Sequence, residues 1–173
     1  MMLIEESNMQ FFVDEQRMLQ VEKNSYLQKA QGVMACEFIS WNDDDNVVCF
    51  VEAKTSSPKP NNGNADYKKR LPYFTECVRD KFVNSFQTFV AAKVGRFTET
   101  KQVELNATAQ SLDLSTTKFK FYLVIKNHKF DWLAPVSDLL QQKMHPFLTC
   151  WNIRSTAVKV LNEDLARSFG LVK

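Results

Sequence analysis

The sequence predicts a mixed α/β fold in which a central sheet is flanked by helices. Three observations predict it. Two runs rich in apolar and β-forming residues, Val33–Trp41 and Val47–Lys54, are separated by a polar turn. Phe74, Val78, Phe82, Phe86, Phe89 and Val90 recur at helical spacing and form one apolar stripe. A third strand-like run, Phe119–Ile125, is followed by a helical stretch and a further strand-like run. Strands mixed with helices in this order make a layered domain rather than a bundle or a sandwich.

The elements follow in chain order. Met2–Val13 contains apolar pairs split by polar residues and reads either as a strand pair or as the start of a helix. Asp14–Ala30 sustains neither period. Asn42–Asn46, with three consecutive aspartates, is a turn that joins the first two strands into a hairpin. Both strands are apolar on both faces near that turn, as expected of a sheet covered on two sides. Thr55–Asn64 is a loop marked by Ser56, Ser57, Pro58, Pro60 and Gly63. Tyr67–Val94 is a long helix with Gly95 as its C-terminal cap. Phe97–Thr117 is polar and reads as a connection or a short excursion. Pro135 to about Trp151 is a second helix, with a kink or break expected at Pro146. Thr156–Leu161 is the last strand, and Glu163–Phe169 a short helix ended by Gly170.

At 173 residues, 45% hydrophobic and 24% charged, the chain reads as one globular domain over residues 1–173. A net charge of +2 argues against coating nucleic acid by bulk charge but allows a local basic groove. The four cysteines form no C-x-x-C pair, and His128 and His145 are not spaced to partner them, which points away from zinc and toward a reducing cytoplasm. The first residues lack the basic start and apolar run of a signal peptide, and no stretch approaches the ~20 apolar residues of a membrane span. Asp43–Asp45 lack the alternating ligand spacing of a calcium loop. The phenylalanine stripe reads as core, and Trp132 and Trp151 as packing residues.

Chemistry concentrates at the hairpin. Side chains alternate along a strand, so Glu52 and Lys54 share a face. With a four-residue turn, Asp43–Asn46, Asn42 pairs with Val47, and Glu37 then lies opposite Glu52. A turn one residue longer or shorter sends Glu37 to the other face. Two facing carboxylates in apolar strands repel each other and lose hydration, so a cation is required. Lys54 neutralises one charge. A hard divalent ion such as Mg²⁺ neutralises both, activates a water and stabilises charge on a phosphodiester. The plainer readings are an ion pair at a strand end for Glu52 and Lys54, and an edge-strand charge for Glu37.

Glu37, the run Val51-Glu52-Ala53-Lys54 closing an apolar strand, Thr55-Ser56-Ser57-Pro58 and the long helix together resemble the PD-(D/E)XK nuclease superfamily over roughly residues 33–125. The resemblance implies a restriction-endonuclease-like αβββαβ core and metal-dependent hydrolysis of phosphodiester bonds, with DNA as the expected substrate. It implies Glu37 and Glu52 as ligands of Mg²⁺ or Mn²⁺ together with the Ala53 carbonyl, and Lys54 as the catalytic lysine. The first acid departs from the family's usual Asp. Family members often add a Glu from a preceding helix, for which Glu22 is the candidate, with Glu15 behind it. Lys59, Lys126, His128 and Lys129 are the expected phosphate contacts among looser basic groups that include Lys68, Lys69, Arg70, Arg79, Lys81, Lys118 and Lys120. The resemblance also implies a partner subunit or homo-oligomer in a larger microbial defence-type system, since little of the chain is left for reading sequence. A nuclease-fold scaffold without catalysis, or a nucleic-acid binder without cleavage, are the competing classes.

Overall fold

A computed structural model describes residues 1–60, 65–100 and 102–173. The opening segment is a hairpin, β1 (Met2–Glu6) and β2 (Met9–Val13). Ser7 and Asn8 both take positive φ, 51° and 59°, the backbone of a two-residue turn whose twist matches its strands. The strand-pair alternative for this segment is therefore the one realised. Residues 14–30 hold a 3-10 turn (Glu15–Arg17), a two-residue strand β3 (Met18–Leu19) and a short helix α1 (Ser25–Lys29). Asn24 caps α1 by accepting from the amides of Tyr26 and Leu27.

β4 (Phe38–Asn42) and β5 (Val47–Lys54) pair antiparallel, with Asn42 opposite Val47 as the four-residue turn requires. Asn42 Oδ1 accepts from the amides of Asp44 and Asp45, which closes the turn from its first residue. The strand expected over Val33–Trp41 begins only at Phe38. Residues 34–36 bond to a helix instead: Asn84 Nδ2 donates to the Met34 carbonyl at 3.0 Å, and the Cys36 amide donates to Ser85 Oγ at 2.8 Å.

That helix is α2 (Ala65–Lys93). The expected loop before it is described through Pro60, and its last four positions, 61–64, lie outside the described residues. Gly95, at φ 79°, closes α2: its amide donates to Ala92 O, and that of Arg96 to Ala91 O at 2.9 Å. The polar connection contains α3 (Ala107–Ser111), tied to the sheet where Trp41 Nε1 donates to Thr108 Oγ1 at 2.9 Å. Then come β6 (Lys118–Ile125), α4 (Leu133–Cys150), β7 (Val158–Asn162) and α5 (Glu163–Ser168). Pro146 does not break α4, which continues to Cys150. The last strand starts at Val158 rather than Thr156, because Ser155–Ala157 form a 3-10 turn.

The chain is thus a mixed α+β fold with a five-stranded sheet of order β3-β4-β5-β6-β7. The β3–β4 and β4–β5 pairs are antiparallel, and the β5–β6 and β6–β7 pairs are parallel. Helices α2 and α4 cover one face. There Phe50 stacks on Phe121 at 5.0 Å, and Val78, Phe82, Phe86 and Phe89 are fully buried. Burial of each such ring contributes roughly 1.5–3 kcal/mol. The β1–β2 hairpin and α5 cover the other face, over Phe38, Val51, Ala53, Tyr122 and Val124. No described helix is long and apolar enough to cross a membrane.

Candidate functional site

The β4–β5 ladder ends with Phe38 opposite Val51. One step further, Glu37 lies opposite Glu52, and both are on the face that α2 covers, since Phe38 and Val51 point to the other. Both acids are buried, Glu37 at 7% exposure and Glu52 at 0%.

Lys54 and a lysine on α2 neutralise Glu52. Lys54 Nζ lies 2.6 Å from Glu52 Oε1, and Lys81 Nζ lies 2.9 Å from the same oxygen. Lys81 Nζ also reaches Glu22 Oε1 at 3.0 Å. Glu22 is hydrogen-bonded to Glu37, so a chain of contacts runs Lys54–Glu52–Lys81–Glu22–Glu37. The structure therefore joins four of the sequence-predicted residues and adds Lys81, which the sequence offers only as one of the looser basic groups. Its signal was present: Lys81, Ser85 and Thr88 run along the flank of the phenylalanine stripe, and Ser85 and Thr88 are buried. Ser85 and Asn84 fasten the segment that delivers Glu37, so α2 both positions one acid and charges the other.

Titration follows from this packing. Burial first, then the hydrogen bond and charge of Glu22 and the charge of Glu52, push Glu37 up to about 9. Glu22 goes the other way: its hydrogen bond from Glu37 lowers it most, burial opposes this, and Lys81 lowers it further. Burial raises Glu52, opposed by Lys54 and Lys81. Burial works against the charge on Lys81, but Glu52 and Glu22 outweigh it and raise its pKa.

The other expected residues sit as follows. The Ala53 carbonyl accepts from Ser7 Oγ at 3.0 Å. Glu15 is exposed on its 3-10 turn, and no contact joins it to the cluster among the described residues. Lys126 Nζ donates to the Asn8 carbonyl at 2.6 Å. His128 is buried, its Nδ1 3.0 Å from Ser57 Oγ and its Nε2 3.2 Å from the Trp132 carbonyl; burial lowers its pKa. It locks the loop after β5 against the turn after β6. Lys59 and Lys129 lie 5.9 and 5.0 Å from the centre of the Trp132 ring.

Among the described residues no group of three His, Cys, Asp or Glu is arranged to hold a metal ion. The donor chemistry nonetheless suits a hard cation. Glu52 Oε2 is buried with no hydrogen-bond partner among the described residues, and the carboxyls around it are all oxygen donors. No family model matches the chain, and neither a curated protein nor a solved structure matches it.

Proposed function

We propose that the chain is a metal-dependent nuclease with a restriction-endonuclease-like core, acting on DNA. The observation that carries this reading is the convergence of Glu37, Glu52 and Lys54 at the end of β5, on one face of the sheet. The topology agrees with it: a three-strand antiparallel meander, a crossover through α2 to a parallel strand, then a helix and a further parallel strand. Glu52, with its unpartnered Oε2, and Glu37 would hold Mg²⁺ or Mn²⁺, with the Ala53 carbonyl and Glu22 as further oxygen donors. A divalent ion there supplies positive charge against a phosphodiester and a more acidic bound water. The Lys54 side chain is 31% exposed at the strand end, where its ammonium would have a phosphate oxygen within reach. Lys59 and Lys129 flank the same end and suit contacts with the phosphate backbone. A protein partner or second copy would supply sequence discrimination.

One observation favours a second reading, a nuclease-fold scaffold without catalysis. Lys81 already bridges Glu52 and Glu22 and gives them the positive charge that a metal would supply. Cleavage assays on mixed DNA and RNA with Mg²⁺ or Mn²⁺ separate the two. The nuclease reading expects metal-dependent cleavage by the wild type and none by Lys54→Ala. A folded wild type that neither cleaves nor gains stability from metal leaves the scaffold.

A further inference from the structure

On the far face of the sheet from Glu52, at the opposite strand end, lies a cleft of about 680 Å³. Cys49 pairs with Lys120, and Glu52 with Leu123, so Lys120 is three residues, roughly 10 Å, from the carboxylates along the strands and on the opposite face. Lys118 and Lys120 of β6 line it, with Lys159 of β7 and Arg154 from the turn before β7. No Asp or Glu lines it, and none of the four cations is paired with a carboxylate among the described residues. Arg17, Lys23, Arg79, Lys143 and Arg167, by contrast, have acidic partners.

The cleft has an aromatic wall. Phe169 is 45% exposed, Tyr122 packs 6.1 Å from it, and Lys159 Nζ lies 4.5 Å over its ring. It also has an exit: Thr156, Lys159 and Phe169 are shared with a shallower groove of about 390 Å³ that follows β7. A compact anion needs neither the length nor the exposed ring.

We propose that this cleft binds a single-stranded nucleic acid, with Lys118, Lys120, Arg154 and Lys159 on its phosphates and Phe169 under a base. A row of cations that tracks a backbone beside an aromatic side chain is how strands are held without sequence preference. Lys118 and Lys120, two residues apart on one strand, point the same way and serve successive phosphates. A stacked base takes the ring face that Lys159 now covers, and frees that ammonium for a phosphate. The site is independent of the nuclease reading, because nothing in it uses Glu37, Glu52 or Lys54.

The test is fluorescence anisotropy with a labelled single-stranded DNA of mixed sequence, in EDTA so that cleavage plays no part, across a salt series. Four phosphate contacts predict a slope of log affinity against log salt of about −2.8. Lys118→Ala/Lys120→Ala weakens binding at least about tenfold and brings the slope to about −1.4, and Arg154→Ala/Lys159→Ala does the same. Phe169→Ala weakens binding about tenfold with the slope unchanged. Wild-type affinity in both double variants overturns the proposal, as does loss of binding only in Lys59→Ala/Lys129→Ala, which puts the strand at the carboxylate end. Competition by inorganic phosphate or a mononucleotide as effective, per phosphate, as by the oligonucleotide makes the cleft a small-anion site and overturns it equally.

Discussion

Lys81→Met tests whether the buried acids depend on α2 for their charge balance. The substitution keeps the length and apolar stem of the side chain and removes the ammonium 2.9 Å from Glu52 Oε1. Removing one partner of a buried ion pair costs about 3–5 kcal/mol, because it strands the other charge. Lys54 stays on the same oxygen at 2.6 Å, with a side chain 31% exposed and so partly screened. The contact with Glu22, whose side chain is 44% exposed, adds little. A loss of about 2–3 kcal/mol remains, which at this size lowers Tm by about 4–12 °C. The assay is urea and thermal unfolding in EDTA for the wild type, Lys81→Met, and Lys81→Met/Glu52→Gln. The double variant removes the stranded charge, so it recovers much of the loss. Millimolar Mg²⁺ or Mn²⁺ stabilises Lys81→Met more than the wild type, since an added cation takes the vacated place beside Glu52. A single variant as stable as the wild type, or a double variant no better than the single, refutes the electrostatic argument.

Stability of the metal-free protein falls as pH rises from about 5 to 9. Glu37 is raised to about 9, so between its ordinary range and that value the folded state binds more protons than the unfolded. Its contribution is present at low pH and is lost as pH rises, at up to about 1.4 kcal/mol per pH unit. Glu52 shifts the same way. Glu22 is lowered and acts below this window, while His128, whose pKa burial lowers, works the other way at its acid end, so the fall is read above about pH 7. Denaturant midpoints measured across that range read the slope; Glu37→Gln flattens it, and an equal slope in the variant would count against the assignment. Gly95→Ala costs about 1–2 kcal/mol, because its φ of 79° disfavours a Cβ, which would also meet Thr98 Oγ1 at 3.1 Å. An unchanged urea midpoint there would show that the α2 cap yields.

The sheet and the relation of Glu37 to Glu52 were legible because local rules fixed both. A single turn, closed by the Asn42 side chain and Asn46 at φ 50°, sets the β4–β5 register, and alternation then assigns every face. The strand expected from Val33 begins later because Val33, Met34, Ala35 and Cys36 have strand-like composition, while the backbone partners of Met34 and Cys36, the side chains of Asn84 and Ser85, lie about 50 positions away. α3 was hidden for a similar reason. Val103, Leu105, Ala109 and Leu112 anchor the 97–117 connection without a regular period, and its tie to Trp41 spans 67 positions. Lys81 was missed because period analysis weighs apolar residues. A lysine on the flank of a stripe counts as surface until a buried acid is known to face it.

The two lysines on Glu52 are not equivalent, and their difference separates catalysis from scaffold more sharply than either position alone. Lys81 is held between two acids with a side chain 12% exposed, and its ammonium has nowhere to move without leaving Glu52 and Glu22 behind. Lys54 stands at the end of β5, 31% of its side chain exposed, with Glu52 as its one acidic partner among the described residues. Removing Lys54 therefore leaves Glu52 with its buried partner and costs less stability than removing Lys81. If Lys54 serves a reaction, Lys54→Ala loses cleavage with a small change in Tm, whereas Lys81→Met loses stability first. In a scaffold Lys54→Ala shows the same small change in Tm and alters nothing else, while Lys81→Met still unfolds early. Matched unfolding and cleavage measurements on the two variants therefore distinguish a site built to react from one built only to hold its helix to its sheet.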